Sequence, residues 1–165
     1  MGHEVLVAGV GNIFLGDDGF GVEVANRLAS EALPEWVRIA DFGIRGVHLA
    51  HELLDKAYET TILVDATPRG GKPGTVYLIE PDFYAVGADE SNSPDAHGMN
   101  PEAVFALLKT LGGNPGHVFI VGCEPARVEE EIGLSPAVAH AVEEAIRLIR
   151  ELISRTVTPD SKGRN

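Results

Sequence analysis

The chain carries a single cysteine, Cys123, among 165 residues. No disulfide framework can form within it, and a lone thiol fits a reducing compartment. Long apolar runs are missing too: nothing approaches the roughly 18 consecutive apolar residues of a membrane-spanning helix. The N-terminus has no cationic segment, and its run Val5-Leu6-Val7-Ala8 is too short for a secretion signal. The expectation is a cytoplasmic protein with no membrane partner. Basic residues are scarce, 13 Lys and Arg against 25 Asp and Glu, for a net charge of −12. Nucleic acid demands clustered Lys and Arg, so it is not an expected partner either. The length is too short for a (β/α)₈ barrel of about 250 residues. With no internal repeat and no low-complexity linker, residues 1–155 are expected to form one domain. Residues 156–165 read as a polar, flexible tail.

What is present points to an α/β protein. Short apolar, β-rich runs occur at residues 5–9, 37–40, 60–64, 75–79 and 118–121. Helical spacing separates them, as in Val22, Ala25, Leu28, Ala29, Ala32 and Leu33. Asn100-Pro101 and Ser135-Pro136 are cap-then-proline signals for helices running to about residues 111 and 155. Unalternating strands joined by helices predict a three-layer α/β/α sandwich around a largely parallel sheet of about five strands.

Ligands of open α/β sheets bind beyond the carboxyl ends of the strands. Here the first strand leads to Gly9-Val10-Gly11-Asn12 and then Asp17-Asp18, the second runs into Asp41 and the third into Asp65. Carboxylates from three strands thus converge on one edge, a placement that solubility alone does not require. A dinucleotide site is the competitor, but where G-x-G-x-x-G needs its third glycine the chain has Phe14. Asp17 and Asp18 would moreover repel a pyrophosphate. No P-loop, G-x-S-x-G elbow or H-E-x-x-H helix occurs. Clustered carboxylates need a counterion or a shared proton, and a transition metal suits them once an imidazole joins. His97, at the end of a long acidic loop, is the candidate. His48, His51 and Asp55 share helical spacing but read as a solvated face. His3, His117 and His140 read as surface or packing residues. Cys123 ends an apolar strand with no adjacent base and reads as an inert thiol. Ser135 reads as a helix cap.

Taken together these blocks resemble the nickel–iron hydrogenase maturation endopeptidases. Gly9-Val10-Gly11-Asn12 followed by Asp17-Asp18 and Gly21 is similar to their G-x-G-N-x-x-x-x-D-[DE]-x-x-G signature. Leu63-Val64-Asp65-Ala66, Asp95-Ala96-His97-Gly98, Gly122-Cys123-Glu124-Pro125 and Ile132-Gly133-Leu134-Ser135-Pro136 match further blocks in order. The resemblance implies an endopeptidase that removes a C-terminal extension from a nickel-loaded large-subunit precursor, with no cofactor of its own. It implies that Asp18, Asp65 and His97 contact the substrate's nickel and that Asp41 assists catalysis. Phe42-Gly43-Ile44 stands where the family often has Gly-Gly-Thr, so no threonine hydroxyl is available there. A general metal-dependent hydrolase and a non-catalytic, nickel-dependent chaperone remain open alternatives. A monomer is the default expectation.

Overall fold

The computed structural model describes residues 4–82 and 101–162, with side chains as far as Thr156. Five strands, β1 (Val5–Val10), β2 (Val37–Gly43), β3 (Thr60–Ala66), β4 (Val76–Ile79) and β5 (His117–Cys123), form one sheet in the order β2-β1-β3-β5-β4. All neighbours pair in parallel except β4, which lies antiparallel to β5 at one edge. Four helices complete the chain: α1 (Phe20–Ala29), α2 (Gly46–Asp55), α3 (Pro101–Thr110) and α4 (Pro136–Lys162).

The helices follow from the alternation of the strands. Along β1 the odd residues Val5 and Val7 join Phe20, Val24 and Leu28 of α1 and the apolar stripe of α4, from Val138 to Ile153. The even residues Leu6, Ala8 and Val10 join Leu49, Ala50 and Leu53 of α2 and Val104, Phe105 and Leu108 of α3. A period-2 strand whose two faces are both apolar must be covered on both sides. The three-layer sandwich is therefore as expected, with α1 and α4 on one face and α2 and α3 on the other.

The boundaries differ in ways that bear on function. Sequence reading ends the second and third strands at Asp41 and Asp65, yet β2 continues to Gly43 and β3 to Ala66. Both aspartates are therefore held by ladder pairing, Asp41 opposite Gly9 and Asp65 opposite Gly122. His117 is the first residue of β5, not a residue before it. Helix α4 runs to Lys162, past the expected end near Arg155. No glycine or proline interrupts residues 149–158, and the Thr156 hydroxyl donates to the Leu152 carbonyl at 3.0 Å.

The chain leaves β1 for β2 on one side and returns to β3 on the other. Helix α1 covers one face and α2 the opposite one. This reversal makes the carboxyl ends of β1 and β3 the topological switch point of the sheet, where such folds open a crevice.

Candidate active site

Gly11 follows β1 with φ +134°, a backbone conformation open chiefly to glycine, and its amide donates to the Gly43 carbonyl at 2.9 Å. A side chain here would run into the carbonyl oxygen of Asp18 and come within 3.7 Å of Asp65 Oδ1. Gly11 is thus the spacer between the Asp18 backbone and the Asp65 carboxylate. The third-glycine role, missing at Phe14, falls to Gly21: a Cβ there would strike the carbonyl oxygens of Val64 and Val10. Close packing of α1 on the strands is kept, but the intervening turn is seven residues longer than a dinucleotide fingerprint allows.

That longer turn places the two adjacent aspartates in opposite surroundings. Asn12 accepts from the Phe14 amide through Oδ1 at 2.9 Å, and its own amide donates to Asp18 Oδ2 at 2.8 Å. The turn is folded back so that Asp18, in the 3-10 segment Gly16–Gly19, stays half-buried beside the crevice. Asp17 is 1% exposed. Its Oδ2 accepts from the amides of Ala126 and Arg127 at 2.8 and 3.0 Å and from the Ser135 hydroxyl at 2.8 Å. Its Oδ1 accepts from the Ser135 amide at 2.7 Å. Burial alone would raise the proton affinity of Asp17, but these donors from Ser135, Arg127 and Ala126 outweigh it and hold the carboxyl below its ordinary value. The Asp17 amide donates in turn to the Arg127 carbonyl, and Gly16 to that of Glu131. Asp17 therefore bolts the turn bearing Asp18 to the loop between β5 and α4. Ser135 does stand just before α4, but its hydroxyl serves Asp17, which corrects its reading as a simple cap.

Asp65 is 9% exposed and is pushed well above the usual carboxylate range, first by burial and then by the charge of Asp18, with the Ala66 amide opposing. Two carboxylates of this kind favour either a bound proton or a cation between them. Asp41 lies on the edge strand β2 and is exposed. Its carbonyl accepts from Arg45 Nη2 at 2.7 Å, while Arg45 Nε donates to the Phe42 carbonyl at 3.1 Å. Arg45 thereby braces the end of β2, and Asp18, not Asp41, is the carboxylate that acts on Asp65. His97 lies outside the described residues, as do Asp95 and Asn100. Among the described residues no group of three or more His, Cys, Asp and Glu side chains is arranged to hold a metal ion.

A cavity of about 590 Å³ is lined by Asp65 itself with Thr67, Arg69, Phe105 and Ile120, among others. The segment bearing Arg69 is held by Glu124, which is buried. Glu124 Oε1 accepts from Tyr77 Oη at 2.7 Å, the Arg69 amide at 2.9 Å and the Gly71 amide at 3.0 Å. The Tyr77 and Arg69 donors lower the proton affinity of Glu124, so it stays charged. Neither Asp17 nor Glu124 emerges as a positioning residue from sequence reading. The one available signal for Asp17 was the doublet itself: consecutive residues of a tight turn cannot both face the same crevice.

Of the remaining candidates, His3 lies outside the described residues. His48, His51 and Asp55 are exposed on α2, and His140 is exposed on α4. Cys123 is fully buried, and burial followed by the charges of Asp17, Glu124 and Glu144 pushes its thiol up to about 12. It is not a nucleophile.

A sequence model of the hydrogenase maturation proteases matches residues 22–152. The hydrogenase expression/formation protein HupD of Rhodobacter capsulatus is 36% identical over 155 residues, 91% of this chain and 71% of its own. The crystal structure of a hydrogenase 2 maturation peptidase from a Thaumarchaeota archaeon superposes with TM-score 0.71 at 32% identity, covering 92% of this chain and 98% of its own. The hydrogenase maturating endopeptidase HybD from Escherichia coli superposes with TM-score 0.79 at 29% identity, covering 93% of each chain. With its switch-point carboxylates and its glycine-rich first turn, the chain belongs to the hydrogenase maturation protease family and is a peptide-bond hydrolase.

Proposed function

We propose that this protein cleaves the C-terminal extension from the nickel-loaded large-subunit precursor of a nickel–iron hydrogenase, acting in the cytoplasm with no metal of its own. The observation that carries this reading is the Asp18–Asp65 pair at the switch point, in a chain of this family. The charge of Asp18 disfavours that of Asp65, so the pair gains from a cation brought to it. A precursor carrying nickel supplies that cation as part of the substrate. Oxygen ligands joined by one imidazole, His97, form a weak set for a late transition metal. Weak binding suits recognition of an ion that the substrate keeps.

With Asp18, Asp65 and His97 engaged by the substrate's nickel, Asp41 on the neighbouring strand is the base for hydrolysis, an aspartic-type mechanism. Asp41 takes a proton from water as the water oxygen bonds to the scissile carbonyl carbon. The carbon–nitrogen bond then breaks and the proton passes to the leaving amine. Cys123 and Ser135 are both committed to packing or hydrogen bonding, which fits a water nucleophile.

Mass spectrometry of the large subunit incubated with the purified protein tests the reading. Trimming of the nickel-loaded precursor and not of the nickel-free one is the expected result. Equal trimming of both would overturn the role of nickel. Binding without trimming would favour a chaperone, and hydrolysis of small unrelated peptides a general hydrolase.

A further inference from the structure

Nine large apolar side chains are exposed among the described residues; five of them sit in the loops that follow β1, β2 and β5, and a sixth, Val47, lies in the first turn of α2. Ile13 and Phe14 belong to the first turn, Ile44 to the link between β2 and α2, and Val128 and Ile132 to the loop before α4. Phe14 is 61% exposed and Ile132 76% exposed. The backbone joins these two segments directly, with the Glu131 amide donating to the Phe14 carbonyl at 3.0 Å. Leu54 and Leu111, by contrast, lie at the opposite end of the sheet. Apolar exposure on this scale, gathered on one edge, marks an interaction surface.

We infer that this apolar collar is the docking surface for the protein substrate, seating the part of the precursor that surrounds its scissile segment. The inference rests on the proposed function. A folded partner whose peptide bond reaches Asp41 and whose metal reaches Asp18 must pass over the loops that follow β1 and β2. The collar is therefore continuous with the site itself. Charge selects among occupants. Glu129, Glu130 and Glu131 lead directly into Ile132, and Asp41 stands close before Ile44 in the chain. These acids outnumber Arg127, which lies 3.8 Å from Glu131, and Arg45, which is held on the end of β2. A second copy would set these acids against their own kind in a protein of net charge −12. The complementary partner is apolar at its centre and rich in Lys and Arg at its margin.

The test measures both binding and processing of the nickel-loaded precursor, using Phe14→Asp, Ile132→Asp and the double variant, with Leu78→Asp and Leu111→Asp as exposed apolar controls. Because the side chains are exposed, thermal midpoints should stay at the wild-type value. The collar variants should raise Kd and KM at least about tenfold, on the scale of interface hot spots, while kcat at saturation holds. The controls should bind as the wild type does, and wild-type affinity should fall with added salt. Collar variants with wild-type Kd and KM would overturn the inference. So would a wild-type dimer, seen by light scattering, that these variants dissociate without changing Kd. Failure of the wild type to bind the precursor would overturn the docking surface, whereas binding with no cleavage would overturn the proposed function alone.

Discussion

Asp17 and Ser135, 118 positions apart in sequence, are joined by two hydrogen bonds: the Ser135 amide reaches Oδ1 at 2.7 Å and its hydroxyl reaches Oδ2 at 2.8 Å. With the Ala126 and Arg127 amides, this buried carboxylate closes the first turn of the chain onto its last loop. Asp18 inherits its position from that closure.

Asp17→Ala should lower stability by about 3 kcal/mol, since it leaves four donors, the two of Ser135 buried, without their charged acceptor. That is a fall in Tm of about 10 °C for a chain of this size. The pH dependence follows from the lowered proton affinity of Asp17. A carboxyl whose folded value lies below its unfolded one stabilises the fold above the unfolded value, and that contribution is lost as pH falls through the folded value. Circular dichroism melts should show the gap between wild type and Asp17→Ala closing below pH about 4. A constant gap down to pH 2 would refute the assignment.

Asp65 should behave in the opposite sense. Its folded-state proton affinity is raised, so its stabilising contribution is present at low pH and is lost as pH rises through the raised value. Asp65→Asn should accordingly be more stable than the wild type at pH 8, with the difference shrinking toward acid. The same variant should cut processing of the nickel-loaded precursor at least about a hundredfold, the scale for losing an essential acid–base or ligand group. A less stable variant at pH 8 would contradict the burial and charge repulsion assigned to this residue.

Gly11→Ala tests the spacer. Its Cβ would meet the Asp18 carbonyl, and its φ of +134° strains any side chain. Processing should fall at least about tenfold through misplacement of Asp18 and Asp65, as small displacements of catalytic groups cost that much or more. Gly112→Ala, at φ +80° with open space around it, carries backbone strain without the collision and serves as the control. Equal activity losses in the two variants would show that strain alone is responsible.

The sandwich was legible in the sequence because strands such as Leu6-Val7-Ala8 are apolar on both faces, and that alone forces helices onto both sides. The edge carrying Asp18, Asp41 and Asp65 followed from the same reading. What was not legible depended on contacts distant in sequence. Nothing around Asp17 announces donors from residues 126–135, and Ser135 before Pro136 looks like a local cap until Asp17 arrives beside it. Gly21 takes the packing role that the fingerprint puts at Phe14, because the longer turn moves the close approach one helix residue past Phe20. The ends of β2 and β3 were set short because an aspartate usually closes a strand, but here each is still paired within the sheet.

Cys123 should resist alkylation in the folded protein. Its thiol is fully buried and pushed up to about 12, so both access and thiolate are lacking at pH 8. Intact-mass measurement should show no adduct with iodoacetamide under native conditions and one adduct after denaturation. Native labelling with retained processing would still exclude it from the chemistry; native labelling that abolished processing would not.

The bond between the first turn and the last loop also fixes when the enzyme becomes competent. Strands β1, β2 and β3 come early in the chain, and their local crossovers can form while later residues are still being made. The turn bearing Asp18 cannot take its final shape until the segment from Ala126 to Ser135 has emerged and closed a loop of more than a hundred residues. A nascent chain therefore carries Asp18 unarranged until that loop closes. The first turn and the loop before α4 must meet before Asp18 is set for the cut.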